Sequence, residues 1–393
     1  MLCSKYLGIL WYIHNLRHIY CPSNMALIWK SNLEKDVLAA FEQTLQSVPR
    51  MAILDRRENV LLRAKNSRYE ADAILQVEMN GKPITLLVET KREVFPRDAR
   101  EAIWQLRRLQ EALHAAEGID TSLPVLASRS ISDGAKEFLR SENISYFEEG
   151  GSLFLANPDV YILLDKPPSR KTARTQGSVF SGRRAQVLLA LLQNPESWRS
   201  VNELAEKVFV SPATVSQVLV ELERREWVST RGTGPRKERK LEQPTALLDA
   251  WKKQMLDAPK PQLRRFFVPS LKAEELLLRI NQICETDNIA YAVTGEWAAQ
   301  IYSPFLSSVS QVRLRFPEDQ PISALTSELK AREVSEGSNL VFLETASYGD
   351  LLFREQERGV WLANPVIVYL DLLQSDGRAK EMAEHLRRER IHF

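Results

Sequence analysis

At 393 residues the chain exceeds what one core ordinarily fills, so two to four domains are expected. With 44% hydrophobic and 26% charged residues it is globular rather than disordered, and no run reaches the roughly 18 apolar residues that a membrane helix needs. Net charge is only +2; Cys3, Cys21 and Cys284 form no C-x-x-C pair and the five histidines are scattered, which argues against a disulfide framework or a zinc site and fits a reducing cytoplasm.

Residues 1–24 begin with an apolar stretch, 6–13, that is interrupted by His14, Arg17 and His18 and followed by no small-residue cleavage site. They read as a leader or an over-extended start. A first domain is expected over 25–165. Ser31 and Glu34 form an S-x-x-E box that predicts a helix start, with Leu33, Val37, Leu38, Phe41 and Leu45 on its apolar face. A strand near 60–63 precedes a hairpin, 69–78 and 84–92, turned at Asn80-Gly81. Pro96 opens a long helix over 97–116, striped by Ile103, Leu106, Leu109 and Leu113. A strand at 123–127, a helix at 133–141 and short strands near Ile144 and Val160 follow. The order α-β-β-β-α-β predicts a mixed sheet flanked by helices.

The hairpin carries Asp72 on its first strand and Glu89-Thr90-Lys91 at the end of its second. Alternation puts Glu89 and Lys91 on one face and Val88 and Thr90 on the other, so that Asp72 can approach Glu89 and share a divalent ion. Over about residues 31–165 this resembles the D…E-x-K signature of the restriction-endonuclease-like, PD-(D/E)xK nucleases. The resemblance implies Mg2+ held by Asp72 and Glu89, with Lys91 activating or orienting water for phosphodiester attack. Gln105 is similar to the helical glutamine of RecB-like members, although Leu109 stands where those carry tyrosine and Ala71 where the signature has proline. Glu34 matches the family's helical glutamate or simply caps, and Glu70 is a substitute ligand. The plainer reading of Glu89 and Lys91 is a solvated strand end.

Residues 166–182, with paired prolines and many cations, predict an exposed linker. A winged domain is expected over 183–262. It opens with a helix at 183–193. Ser200 and Glu203 form a second S-x-x-E box, and Ser211-Pro212 restarts the chain as N-cap and first helical residue. On that next helix Val215, Val218, Leu219 and Leu222 share a face, leaving Thr214, Gln217 and Glu221 outward. The connection Phe209-Val210-Ser211 is tight, as a helix-turn-helix requires. After Trp227 and Val228 comes a hairpin whose tip, 231–240, holds two glycines, a proline and five basic residues. A helix at 245–256 and the Pro259-Lys260-Pro261 run close the domain. Between 170 and 240 there are 14 Lys+Arg against 7 Glu and no Asp, about +7 within a nearly neutral chain. Such localised charge is the footprint of double-stranded DNA binding. Thr214, Ser216 and Gln217 are the candidates for base edges, and Arg231, Arg236, Lys237, Arg239 and Lys240 for phosphates or the minor groove. A winged helix serving protein partners, with its cations merely solvated, is the plainer alternative.

The last domain is expected over 263–393. A helix at 271–285, a strand at 289–293, Gly295, a helix at 297–302 and a strand at 309–316 resemble the core of nucleotidyltransferases. Where that core carries D-x-D, this chain reads Gln311-Val312-Arg313-Leu314-Arg315, so two metal ions cannot be held and the fold is expected to be degenerate. The closing stretch holds Val360-Trp361-Leu362-Ala363-Asn364-Pro365, Val368-Tyr369-Leu370-Asp371-Leu372-Leu373, Gly377-Arg378 and Ala383-Glu384. With Thr294-Gly295 it is similar to the AbiEi-type antitoxins and transcriptional regulators of type IV, abortive-infection toxin–antitoxin systems. Tyr369 and Leu372 also read as plain core, and Asp371 or Arg378 as helix caps.

The expected fold class is therefore multidomain α/β and α+β. The resemblance implies a regulator that binds its own promoter and counteracts a nucleotidyltransferase-type toxin, and a homodimer is expected because winged-helix regulators commonly dimerise. The alternatives are a magnesium-dependent DNA nuclease targeted by its winged helix, and a non-catalytic interaction scaffold.

Overall fold

The structure, a computed structural model, describes residues 22–393 apart from 65–66, 120, 159, 167–177, 270–271, 319, 321 and 346–347. Most of the leader and most of the 166–182 segment lie outside the described residues. The chain divides into two compact units, Met1–Gln176 and Gly177–Phe393. No helix among the described residues is long and apolar enough to cross a membrane.

The first unit opens with α1, Pro22–Gln46. Pro22 heads it, where a missing N–H costs nothing, so Ser31 lies inside the helix and the Ser31/Glu34 box does not start it. Strands β1 (Met51–Ala64), β2 (Ser67–Met79) and β3 (Lys82–Val94) form an antiparallel meander. Asn80 and Gly81 both have positive φ, 52° and 80°, the geometry a two-residue hairpin turn favours. Helix α2 (Pro96–Glu117) crosses over to β4 (Ser122–Ile131), which runs parallel to β3. Helix α3 (Asp133–Ser141), β5 (Ser145–Glu148), β6 (Ser152–Asn157) and β7 (Val160–Leu164) complete a seven-stranded sheet in sequential order. Alternation along the strands divides its apolar residues between two cores. Leu87, Leu126 and Tyr146 meet Leu106 and Leu113 of α2, while Val88, Val125 and Phe147 meet Phe41 and Leu45 of α1. The mixed sheet flanked by helices is thus present. Strand β1 is far longer than the predicted 60–63, because its charged run Asp55-Arg56-Arg57-Glu58 hides an edge strand.

The second unit begins with α4 (Gly182–Gln193), β8 (Arg199–Ser200), α5 (Val201–Val208), α6 (Pro212–Arg224), β9 (Val228–Arg231), β10 (Glu238–Leu241) and α7 (Pro244–Asp257). The three strands order as β8-β10-β9. There follow β11 (Leu263–Phe267), α8 (Ala273–Thr286), β12 (Ala292–Thr294), α9 (Gly295–Tyr302), β13 (Val312–Pro317), α10 (Ile322–Glu328), β14 (Arg332–Glu333), β15 (Leu340–Thr345), β16 (Glu355–Glu357), β17 (Val360–Leu362), α11 (Pro365–Leu373) and α12 (Ala379–Leu386). Their sheet orders as β14-β11-β15-β13-β12-β17-β16.

The expected boundary near residue 262 does not separate two cores. One hydrophobic cluster runs from Val179 and Leu222 through Trp251 to Val293 and Tyr369. Polar ties reinforce it: Asn364 Nδ2 donates to Gln193 Oε1 at 2.7 Å, and Arg387 pairs with Asp249 at 2.6 Å. Asp371 caps nothing. It is buried in the last turn of α11 and accepts from Arg315 Nε at 2.8 Å, with a further bond from Arg315 Nη2 and one from the Thr294 hydroxyl.

Candidate nucleic-acid interface

Local sequence fixes the two helices of the helix-turn-helix. The Ser200 hydroxyl accepts from the Glu203 N–H at 3.2 Å and starts α5; the Ser211 hydroxyl accepts from the Thr214 N–H at 3.3 Å and starts α6, with Pro212 at its first position. Between them Phe209 takes the left-handed conformation, φ 54°, that ends α5. Val215, Val218, Leu219 and Leu222 are fully buried. At about 1.5–3 kcal/mol for each such side chain, this burial sets which face of α6 remains outside.

That outside face is Ala213, Gln217 and Val220, spaced by four and three residues, with Ser216 half-buried beside it. Gln217 is exposed, an amide able to meet the N6 and N7 of adenine. Val220, 46% exposed, offers an apolar contact of the kind a thymine methyl takes. It lies one turn beyond Gln217, a spacing from which the sequence could have indicated it. Thr214 is half-buried and its hydroxyl shares a 2.9 Å bond with Ser211, so it belongs to the cap as much as to the surface. Phe209, 82% exposed at the turn, is a second feature with no sequence signal beyond its position.

Glu221 does not project freely, contrary to its expected outward position. Its carboxylate accepts from Arg184 and Arg225, each at 2.7 Å. Glu223 accepts from Lys237 at 2.9 Å and Arg239 at 2.8 Å. Burial alone would raise the Glu223 carboxyl, but hydrogen bonds from Lys237 and Arg239 outweigh it and hold the group below its ordinary range. Both acids of the recognition helix that could repel a phosphate are therefore neutralised from behind.

The wing is the β9–β10 hairpin, paired Arg231 with Glu238, with a single 3-10 turn at Gly234–Arg236. Gly232 has φ 75°, and a Cβ there would meet the Arg236 carbonyl oxygen at 2.5 Å, so the tip closes only around glycine. Its five cations differ. Arg236 is exposed and has no acid partner among the described residues. Arg231 pairs with Glu238 at 2.6 Å and lies over the Trp198 ring at 4.5 Å; Lys240 pairs with Glu242 at 3.1 Å and Glu196 at 3.5 Å. Exposed pairs of this kind contribute only about 0.2–1 kcal/mol, so a phosphate can replace the acid. Arg239 does not belong with them. It is 5% exposed and tied to Glu223, because strand alternation turns it inward with Leu241.

In the first unit the structure gathers the other predicted residues. Lys91 Nζ donates to Gln105 Oε1 at 3.1 Å and lies 3.6 Å from Glu89 Oε1. Asp72 Oδ2 accepts from the Thr90 N–H at 2.7 Å and the Thr90 hydroxyl at 2.8 Å, which anchors it beside the same strand end. Glu70 is exposed and Glu34 half-buried. No three His, Cys, Asp or Glu side chains come together as a metal cage among the described residues. Two carboxylates still suit magnesium, which commonly retains water and takes substrate oxygens for the rest of its shell.

Residues 240–392 match the family model described as transcriptional regulator, AbiEi antitoxin, type IV TA system, and residues 180–239 match the MarR family model. No curated protein matches the chain. It is similar to a solved structure of EndoMS in apo form at 19% identity, covering 28% of this chain and 45% of that one, with a TM-score of 0.20.

Proposed function

From a chain that belongs, over residues 240–392, to the AbiEi antitoxins and transcriptional regulators of type IV toxin–antitoxin systems, behind a MarR-family winged helix, we propose an operator-binding antitoxin. The protein is a DNA-binding regulator. In this reading α6 enters the major groove, Gln217 and Val220 meet base edges, and Arg236, Arg231, Lys237 and Lys240 meet phosphates. The observation that carries it is the neutralised acid pair: with Glu221 and Glu223 satisfied internally, the exposed surface of helix and wing is left to its cations. The regulated DNA is its own promoter and the counteracted partner a nucleotidyltransferase-type toxin. Selection of bound duplexes by the purified full chain tests this reading. Enrichment of one sequence, lost in Gln217→Ala, is the expected result; binding of no duplex overturns it. An inverted-repeat site together with a dimer mass in light scattering extends the reading to a homodimer. The C-terminal unit is read as a degenerate nucleotidyltransferase-like fold, since Arg313 and Arg315 stand where that core would carry metal-binding carboxylates.

A second reading is supported by the Lys91–Glu89–Gln105 cluster beside Asp72. Here the first unit is a restriction-endonuclease-like nuclease. Magnesium held by Asp72 and Glu89 would supply Lewis-acid polarisation of a phosphate. Lys91, oriented by Gln105, would position water. Incubation with plasmid and magnesium decides it: cleavage abolished in both Asp72→Ala and Lys91→Ala supports a nuclease, and no cleavage by the unaltered protein removes it.

A further inference from the structure

The second unit holds a cavity of about 300 Å³ between β11, β13, β15 and the end of α11. Its charged lining is Lys260, Arg265, Arg313, Asp371 and Asp376. The two acids do not balance the three cations in practice. Asp371 is wholly engaged by Arg315 and Thr294 from the protein side. Asp376 is an exposed residue paired with Lys260 at 3.0 Å, a surface ion pair that an incoming anion can displace. Arg265 is exposed and has no acid partner among the described residues. Arg313 is the most telling group. Its Nη1 donates to the Ser375 hydroxyl at 2.6 Å, its stem packs over the Gly295 turn, and its Nε is buried with no acceptor. A buried guanidinium donor without an acceptor is costly unless a ligand or water supplies one.

We propose that this cavity binds the phosphoryl groups of a di- or triphosphate anion. Two guanidinium forks suit phosphate oxygens better than ammonium groups do, because they donate two parallel bonds in a fixed plane. The volume lies at the lower end for ligand pockets, large enough for linked phosphates rather than one. Arg313 and Arg265 clasp the anion, Lys260 leaves Asp376 to close over it, and Ser375 holds Arg313 in place. The Arg315–Asp371 pair beneath is a fixed floor.

Calorimetric titration of the full chain with sodium tripolyphosphate, and separately with a nucleoside triphosphate, tests the site. Binding is expected, and Arg313→Gln and Arg265→Ala should each weaken it by about tenfold or more, the value of a charge-assisted hydrogen bond. Arg236→Ala, on the wing, should leave it unchanged. Equal affinities for the two anions identify the phosphates as the groups read; a tighter nucleoside triphosphate adds base and sugar to the same site. Absence of heat with both anions at millimolar concentration overturns the proposal, as does affinity that survives Arg265→Ala. Arg265 is exposed, so that variant remains decisive if Arg313→Gln does not fold. DNA binding measured on the same samples separates failure of this site from failure of the winged helix.

Discussion

In the first unit Asp72 is met by the neutral donors of Thr90, and Glu89 by Lys91 at 3.6 Å. In the second, Glu221, Glu223 and Asp371 are bracketed by Arg184, Arg225, Lys237, Arg239 and Arg315. The contrast lies in the partners: Glu221, Glu223 and Asp371 are held by cationic side chains, whereas Asp72 is held by the backbone N–H and hydroxyl of Thr90. Net charge near zero conceals both.

The sharpest way to break the comparison is to remove one side of a bracketed pair. Arg315→Leu leaves Asp371 buried and unpaired, and should lower unfolding free energy by about 3–5 kcal/mol in denaturant titration. An unchanged midpoint would mean that the pair is not closed in solution. Gln217→Ala should reduce discrimination between the selected site and a single-base variant by about 1–3 kcal/mol, leaving non-specific affinity intact. The double variant Arg236→Ala/Lys237→Ala should weaken all duplexes alike and flatten the dependence of log K on log salt by roughly 0.9 per lost phosphate contact. A slope that stays the same removes the wing from the interface. Glu223→Gln keeps an acceptor for the buried Arg239 but removes the charge that pairs with it, and should lower unfolding free energy by about 1–3 kcal/mol near neutral pH. Because the folded carboxyl is held below its ordinary value of 4.5, its contribution is complete above that pH and is lost as pH falls through the lower folded value. The stability gap between the protein and Glu223→Gln should therefore narrow on acidification, read as midpoint against pH.

What was legible in the sequence was local. Ser200 and Ser211 cap helices because the acceptor and its N–H lie three residues apart, and the apolar face of α6 repeats within one turn. The hairpin around Asn80-Gly81 followed from its turn pair, whereas Gln105 is singled out only by the family resemblance and is found bonded to Lys91. What escaped depended on distant partners. The ion pair of Arg239 with Glu223 spans 16 residues and that of Arg315 with Asp371 spans 56, and no local pattern reports such meetings. The inward turn of Arg239 did leave a trace, since it shares a strand face with Leu241. Ser31 misled for the complementary reason: a capping pattern inside a helix is still only a pattern.

The core shared by the winged helix and the sheet behind it has a consequence for truncation. Severing the chain after α7 would strip a wall from Leu247, Leu248 and Trp251 and expose them as a raw oily patch. A fragment ending there should aggregate in light scattering rather than remain a soluble monomer.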